Sequence, residues 1–227
     1  MSDLMDKLAY LQETKALFKA KLGMADTVPF RDYVAAVPKV AGWSQAAYEA
    51  TKSIWVRPSD WLAMPTMANG DQKVIILMPV YDDDASYATL TLAGAYTVDW
   101  GDGTVENFAS GVAANHKYAY SALADSTLTS EGFKQALIVA TPQVGVDMTS
   151  VALNGNTSIG KPSRYLDVKM AGQKVTLVKV SSPLLIRKFE YIGANSITTF
   201  SNMFQNCYAL ASVPQLDTSN GTDFSGM

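Results

Sequence analysis

The chain predicts a mainly β protein opened by an α-helical N-terminus, and three textures in the sequence carry that expectation. Over residues 2–22 the apolar residues fall on a helical spacing. From Ile54 the period drops to two, with turn residues about every 8–12 positions, as in a two-sheet sandwich. From about Arg164 short apolar strands lead into a sequence unit that returns after 24 residues, a period typical of coiled repeat architectures. The predicted organisation is a helical anchor or oligomerisation segment over 1–53, a linker over 54–69, a β-sandwich over 70–157, and a repeat-like β region over 158–227 that breaks off in mid-repeat.

In the first segment Leu4, Leu8, Leu11, Phe18 and Leu22 keep a 4-3-4-3-4 register, interrupted by Lys15, with Ser2 placed to cap and Gly23 to end the helix. A stripe this narrow suits helix-on-helix packing between chains, most simply a trimer; packing on the next helix of the same chain satisfies it equally. That next helix runs from Pro29 to Val37, with Phe30, Tyr33, Val34 and Val37 on one face and Pro38 as the stop. Ser44–Lys52 reads as a third, short helix.

The strands expected in the sandwich are Lys73–Val80, Tyr87–Ala93, Tyr96–Trp100, Val105–Phe108, Lys117–Tyr120, Gln135–Thr141 and Val146–Leu153. Tyr96, Val98 and Trp100 alternate with Thr97 and Asp99, so one face of that strand is buried and the other is polar. Arg164–Val168, Lys174–Val180 and Arg187–Tyr191 follow as short strands. Thr198-Thr199-Phe200-Ser201-Asn202-Met203 then recurs as Thr222-Asp223-Phe224-Ser225-Gly226-Met227. A repeat of this kind cannot bury its apolar face alone and needs a neighbour or a cap.

Composition removes several function classes. The 227 residues carry 18 Lys+Arg against 21 Asp+Glu, a formal net charge of −3, with no basic block, so nucleic-acid binding lacks its usual electrostatic drive. No apolar run approaches the roughly 18–20 residues of a membrane span, and Asp3, Asp6 and Lys7 stand where a secretory signal has a basic start and an apolar middle. The only cysteine, Cys207, cannot form an intramolecular disulfide, and the only histidine, His116, leaves a His-based metal centre or a Ser-His or Cys-His pair nearly unbuildable. No cofactor, metal or catalytic residue is predicted.

Individual motifs read first as architecture. Trp100-Gly101-Asp102-Gly103-Thr104 places an aromatic at a strand end and two glycines around an Asp, which suits a tight turn with positive φ. Asp99, Asp102 and Glu106 could share a cation, although a carboxylate in such a turn more often accepts backbone N–H bonds. Asp82-Asp83-Asp84 reads as a solvated acidic tip rather than a cage for a hard cation. Trp55-Val56-Arg57-Pro58-Ser59-Asp60-Trp61-Leu62 reads as a linker docked on the sandwich, with Trp55 and Trp61 as the alternative ligand-stacking pair for a sugar ring.

Three resemblances attach to these residues. Val98–Thr104 with His116-Lys117-Tyr118 resembles the Trp-Gly-Asp-Gly-Thr and His-x-Tyr signature of PKD domains over about residues 70–155. That resemblance implies an immunoglobulin-like spacer or interaction module in which Trp100, Gly101, Asp102, Gly103, His116 and Tyr118 are structural. Met203–Leu210 followed by Val213–Asn220 is similar to BspA-like leucine-rich repeats of bacterial surface and bacteriophage fibre proteins. Cys207 then points into the coil as a buried thiol. The order of a short amphipathic helix, a second helix with Phe-Arg-x-Tyr at Phe30–Tyr33, and then β-modules resembles bacteriophage virion proteins.

These resemblances imply a non-enzymatic virion structural protein, a tail fibre or other appendage made in the host cytoplasm. Its expected partners are other virion proteins, further copies of itself, and a host surface receptor or glycan, with no nucleic acid and no membrane span. The alternative is a bacterial cell-surface adhesin or carbohydrate-binding module.

Overall fold

The computed structural model describes residues 55–83, 85–153, 163–180, 185–211 and 216–226. The predicted helices, the seam Leu4, Leu8, Leu11, Phe18 and Leu22, and Asp84 lie outside the described residues. No α-helix occurs among the described residues, and none there is long and apolar enough to cross a membrane. From Arg57 onward they belong to one compact unit.

Among the described residues ten strands build two mixed sheets: β1 Lys73–Val80, β2 Tyr87–Ala93, β3 Tyr96–Asp99, β4 Val105–Phe108, β5 Ala114–Lys117, β6 Lys134–Pro142, β7 Ser150–Ala152, β8 Asp167–Ala171, β9 Leu177–Lys179 and β10 Lys188–Tyr191. Six form the sheet β10-β8-β1-β6-β3-β4, and four form the sheet β5-β2-β7-β9. Pairing is antiparallel except between β8 and β10 and between β7 and β9. Both sheets run across position 157, because β8 pairs with β1 and β9 pairs with β7.

The two sheets share one apolar core. Val74, Ile76, Met78 and Val80 of β1 meet Ala88, Leu90 and Leu92 of β2 together with Ala136, Ile138 and Ala140 of β6, in the period-two pattern of a pleated strand. The other face of β1 is covered as well, since Ile75 and Leu77 are buried. Such two-sided burial explains why Lys73–Val80 reads as an almost unbroken apolar run. Tyrosine hydroxyls inside the core bond to backbone: Tyr165 Oη accepts from Thr89 N–H and donates to Thr89 C=O at 2.6 Å. Burial pushes the Tyr165 hydroxyl up to about 12.

Several elements differ from the sequence expectation. The fifth strand is Ala114–Lys117 rather than Lys117–Tyr120, because its partner is β2 through Leu90–Ala114 to Tyr87–Lys117 and the chain then enters a 3-10 turn at Tyr120–Ala122. The seventh is only Ser150–Ala152. Its first residues form a loop packed on Gly94, where a Cβ would meet Asp147 C=O at 2.4 Å, and Met148 N–H donates to the Gln72 side chain.

The repeat-like region does not close into a coil of regular strands; β8, β9 and β10 join the two sheets. On the far side of β9 in its own sheet, the parallel pairing among the described residues continues through single bridges, Leu177 to Thr199 and Thr199 to Asp223. The rows stay short because Asn202 and Asn206, with φ of 53° and 62°, turn the chain away within a few residues.

Candidate functional site

Three groupings of polar and aromatic residues stand out, and the first is the corner between β3 and β4. Trp100 is fully buried, and its backbone N–H donates to Thr104 C=O at 2.9 Å, closing the turn. Gly101 and Gly103 have φ of 76° and 93°, a region that costs a residue with a Cβ about 1–2 kcal/mol. Gly101 has a second constraint, since a Cβ there would lie 2.5 Å from Leu137 C=O of β6.

The carboxylates at this corner are used locally. Asp99 Oδ1 accepts the Gly101 N–H, Asp102 Oδ1 accepts the Thr104 N–H, and Glu106 Oε2 accepts Trp100 Nε1–H at 2.8 Å. Among the described residues no three His, Cys, Asp or Glu side chains converge as a metal site.

His116 on β5 joins the corner from the other sheet. Its Nε2 lies 2.7 Å from Asp102 Oδ2, its ring stacks on Trp100 at 4.8 Å and 13°, and it meets Tyr118 edge-on at 4.7 Å. Tyr118 is buried and donates its hydroxyl to Trp100 C=O at 2.8 Å. Burial raises the Asp102 carboxyl, but the bonds from His116 and the Thr104 N–H outweigh it and hold the group below the usual carboxylate range. Desolvation pushes the Tyr118 hydroxyl well up. The predicted residues Trp100, Gly101, Asp102, Gly103, His116 and Tyr118 thus meet in one place, where the bonds of His116 to Asp102 and of Tyr118 to Trp100 tie the β5 side to the β3–β4 turn and the others close the turn itself.

The second grouping is the clasp formed by residues 57–62. Arg57 Nε donates to Asp167 Oδ2 at 2.7 Å, and its Nη2 and Nη1 donate to Leu62 C=O and Trp61 C=O. Gln135 Oε1 accepts the Leu62 N–H, and Gln135 Nε2 donates to Asp60 C=O at 2.9 Å. Asp167 lies on β8 and Gln135 on β6, so this segment crosses β1 between them and covers its outer face near Leu77. Trp61 is 4% exposed with the Arg57 guanidinium 5.4 Å from its ring centre, so it has no open face for a sugar ring. Trp55 is half-buried. Sequence reading missed Arg57, Gln135 and Asp167 because the partners lie far apart in the chain and no local pattern joins them.

The third grouping is a groove of about 590 Å³ lined by Asp82, Asp83, Lys117, Tyr118, Tyr120 and Ser121. Its walls are held by ion pairs. Arg164 bonds Asp83 at 2.8 Å and lies over the Tyr81 ring. The buried Lys134 ammonium sits 4.7 Å from the Tyr120 ring centre and bonds Asp125 and Leu123 C=O. The Asp82–Asp83 tip was legible in the sequence, but the tyrosines and lysines around it were not.

Cys207 is buried, its S–H donates to Val180 C=O at 3.0 Å, and burial pushes the thiol up to about 11. Comparison of the chain with protein families, with curated proteins and with solved structures found no match.

Proposed function

We propose that the chain is a non-enzymatic structural protein of a bacteriophage particle, a tail fibre or other appendage. In this reading a PKD-like, immunoglobulin-like sandwich is followed by the first rows of a leucine-rich-repeat-like stack, and the N-terminal helices anchor and oligomerise the protein. The observation that supports it most is the corner itself. Asp102, His116, Trp100, Glu106 and Tyr118 spend their hydrogen bonds on one another and on backbone, as a spacer module requires. The parallel rows at Thr199 and Asp223 support the repeat reading.

Particle assembly tests this reading. Deleting residues 1–40 should abolish incorporation into phage particles while the β-sheet circular dichroism signal persists; normal incorporation of the deleted protein refutes the anchoring role.

A second reading, an adhesin or carbohydrate-binding module, draws support from the groove at Tyr118 and Tyr120, where an aromatic edge, carboxylates, a lysine and a hydroxyl line one depression. Glycan-array binding lost in Tyr120→Ala but kept in Trp61→Ala would favour it.

A further inference from the structure

The groove at Tyr118 and Tyr120 lies between two loop segments that are locked by bonds which leave its ligand-facing groups unused. On one wall Asp83 Oδ1 accepts the Ala85 N–H at 2.8 Å, Asp83 Oδ2 accepts from Arg164 Nη1 at 2.8 Å, and Ser86 Oγ accepts the Tyr81 N–H at 3.0 Å. The other wall is a 3-10 turn, in which the Ala122 N–H donates to Ala119 C=O at 3.0 Å and the Leu123 N–H to Tyr120 C=O at 3.3 Å. The Lys134 ammonium backs this turn 4.7 Å from the Tyr120 ring centre. Tyr118 joins the walls: its N–H donates to Ser86 C=O at 2.9 Å, its side chain is 2% exposed, and its hydroxyl is committed to Trp100 C=O. Walls fixed in this way leave little loop ordering to oppose binding.

The groups left over define what the groove can hold. Among the described residues the Asp82 carboxylate, the Tyr120 hydroxyl and the Ser121 hydroxyl meet no hydrogen-bond partner. Asp83 is answered by Arg164 at 2.8 Å and Lys134 by Asp125 at 2.7 Å. The charged lining that remains is of both signs, a carboxylate at Asp82 and the Lys117 ammonium, which lies 5.7 Å from the Tyr87 ring centre. An anionic ligand would lie against Asp82 and Asp83, and a cationic one against Lys117. A neutral ligand with several hydroxyls uses both, donating to the carboxylate and accepting from the ammonium, and hydrogen bonds to charged groups are the stronger kind. The Tyr120 and Ser121 hydroxyls each donate and accept, as does a sugar hydroxyl. The volume of about 590 Å³ falls in the range of small-ligand sites, roughly 300–1,000 Å³.

We propose that this groove binds a neutral glycan, a short run of uncharged sugar residues. Hydroxyls of one sugar donate to Asp82 and accept from Lys117, a neighbouring hydroxyl bonds Ser121, and the apolar edge of a ring lies on Tyr120, whose hydroxyl bonds the next sugar. Acidic sugars are rejected by Asp82 and Asp83, and amino sugars by Lys117.

The inference rests on the reading of this groove as a carbohydrate site, so the test separates the two. The full chain is applied to an array of glycans in sets that share one core: lactose with sialyllactose, and triacetylchitotriose with its deacetylated form, among others. In each set that binds, the neutral member should be retained at least tenfold more strongly than its acidic and amino counterparts. Calorimetric titration with the best-retained neutral glycan should then weaken at least tenfold in Asp82→Asn and several-fold in Ser121→Ala and Tyr120→Phe. Urea midpoints of these three variants should match the native protein, because the groups removed make no bond inside it and Tyr120→Phe keeps the ring against Lys134. Lys179→Ala, in the separate groove of about 460 Å³ beside Asn202 and Gln205, should bind as the native protein does.

Retention of acidic or amino glycans above their neutral counterparts, with loss in Tyr120→Ala, overturns the neutral class and leaves the groove as a sugar site. Retention that is indifferent to Asp82→Asn and Ser121→Ala, or that is lost in Lys179→Ala, overturns the assignment to this groove. An array that retains no glycan overturns both.

Discussion

Replacing His116 by Ala is the sharpest probe of the corner that joins the two sheets. His116 and Asp102 bond at 2.7 Å with side chains only 14% and 10% exposed, so little water competes for the pair. A hydrogen bond to a charged partner contributes about 1.5–3 kcal/mol net. The stack of His116 on Trp100 adds about 0.5–1.5 kcal/mol. The expected cost is therefore about 2–4.5 kcal/mol, which for a domain of this size lowers Tm by roughly 4–18 °C.

A double-mutant cycle with Asp102→Ala isolates the bond, because Asp102→Ala also loses the Thr104 N–H while the pair term is shared. Urea unfolding followed by circular dichroism should return a coupling of about 1–3 kcal/mol. The pH dependence supplies an independent readout. Asp102 titrates below its ordinary 3.8 in the folded state, so its contribution is complete above pH 3.8 and is lost as pH falls through the lowered folded value. The native protein should lose more stability as pH falls below 4 than either Asp102→Asn or His116→Ala, the latter because removing His116 takes away the largest interaction that lowers the carboxyl and leaves only the Thr104 bonds to oppose burial. Additive single mutants, together with identical acid profiles in all three proteins, would refute this account of the corner.

Two further outcomes follow from backbone geometry and burial. Gly101→Ala and Gly103→Ala both place a Cβ at positive φ, but only the first drives it into Leu137 backbone, the second having nothing within 4 Å. Gly103→Ala should cost about 1–2 kcal/mol and Gly101→Ala at least about 2 kcal/mol more, and equal midpoints in urea would contradict the packing. The Cys207 thiol, raised to about 11 by burial, should react with an aromatic disulfide reagent at pH 8 only after unfolding; full labelling within the mixing time in native buffer would contradict its burial.

What was legible in the sequence divides by the range of the interaction that decides it. Lys73–Val80, Tyr87–Ala93 and Val105–Phe108 have the predicted bounds, because turn residues flank a period-two pattern and both signals are local. The corner motif was legible for the same reason, since a Gly-Asp-Gly turn declares its φ angles in its composition. The strands of the last third begin one to three residues after their predicted starts, three for Asp167 against the expected Arg164 and for Leu177 against the expected Lys174, and one for Lys188 against Arg187. Their registers are set by β1 and β7, which no window around them contains. The clasp of Arg57 on Asp167 spans 110 residues and leaves no pattern at all in either neighbourhood.

The exchange of strand direction inside each sheet gives these pieces a common logic. On one side β8 pairs antiparallel with β1 and parallel with β10; on the other, β7 pairs antiparallel with β2 and parallel with β9. Each sheet therefore changes from antiparallel to parallel pairing at a single strand, and the two changes lie in opposite layers of one core. A parallel stack begun in isolation would leave its first row with unpaired N–H and C=O groups, and an antiparallel sheet ending at β1 and β7 would leave two open edges. Joined in this way, each covers the edge of the other. The Arg57 clasp completes the arrangement by crossing β1 where the antiparallel layer meets β8, so that the outer face of the joining strand is closed by an ion pair reaching the first strand of the rows.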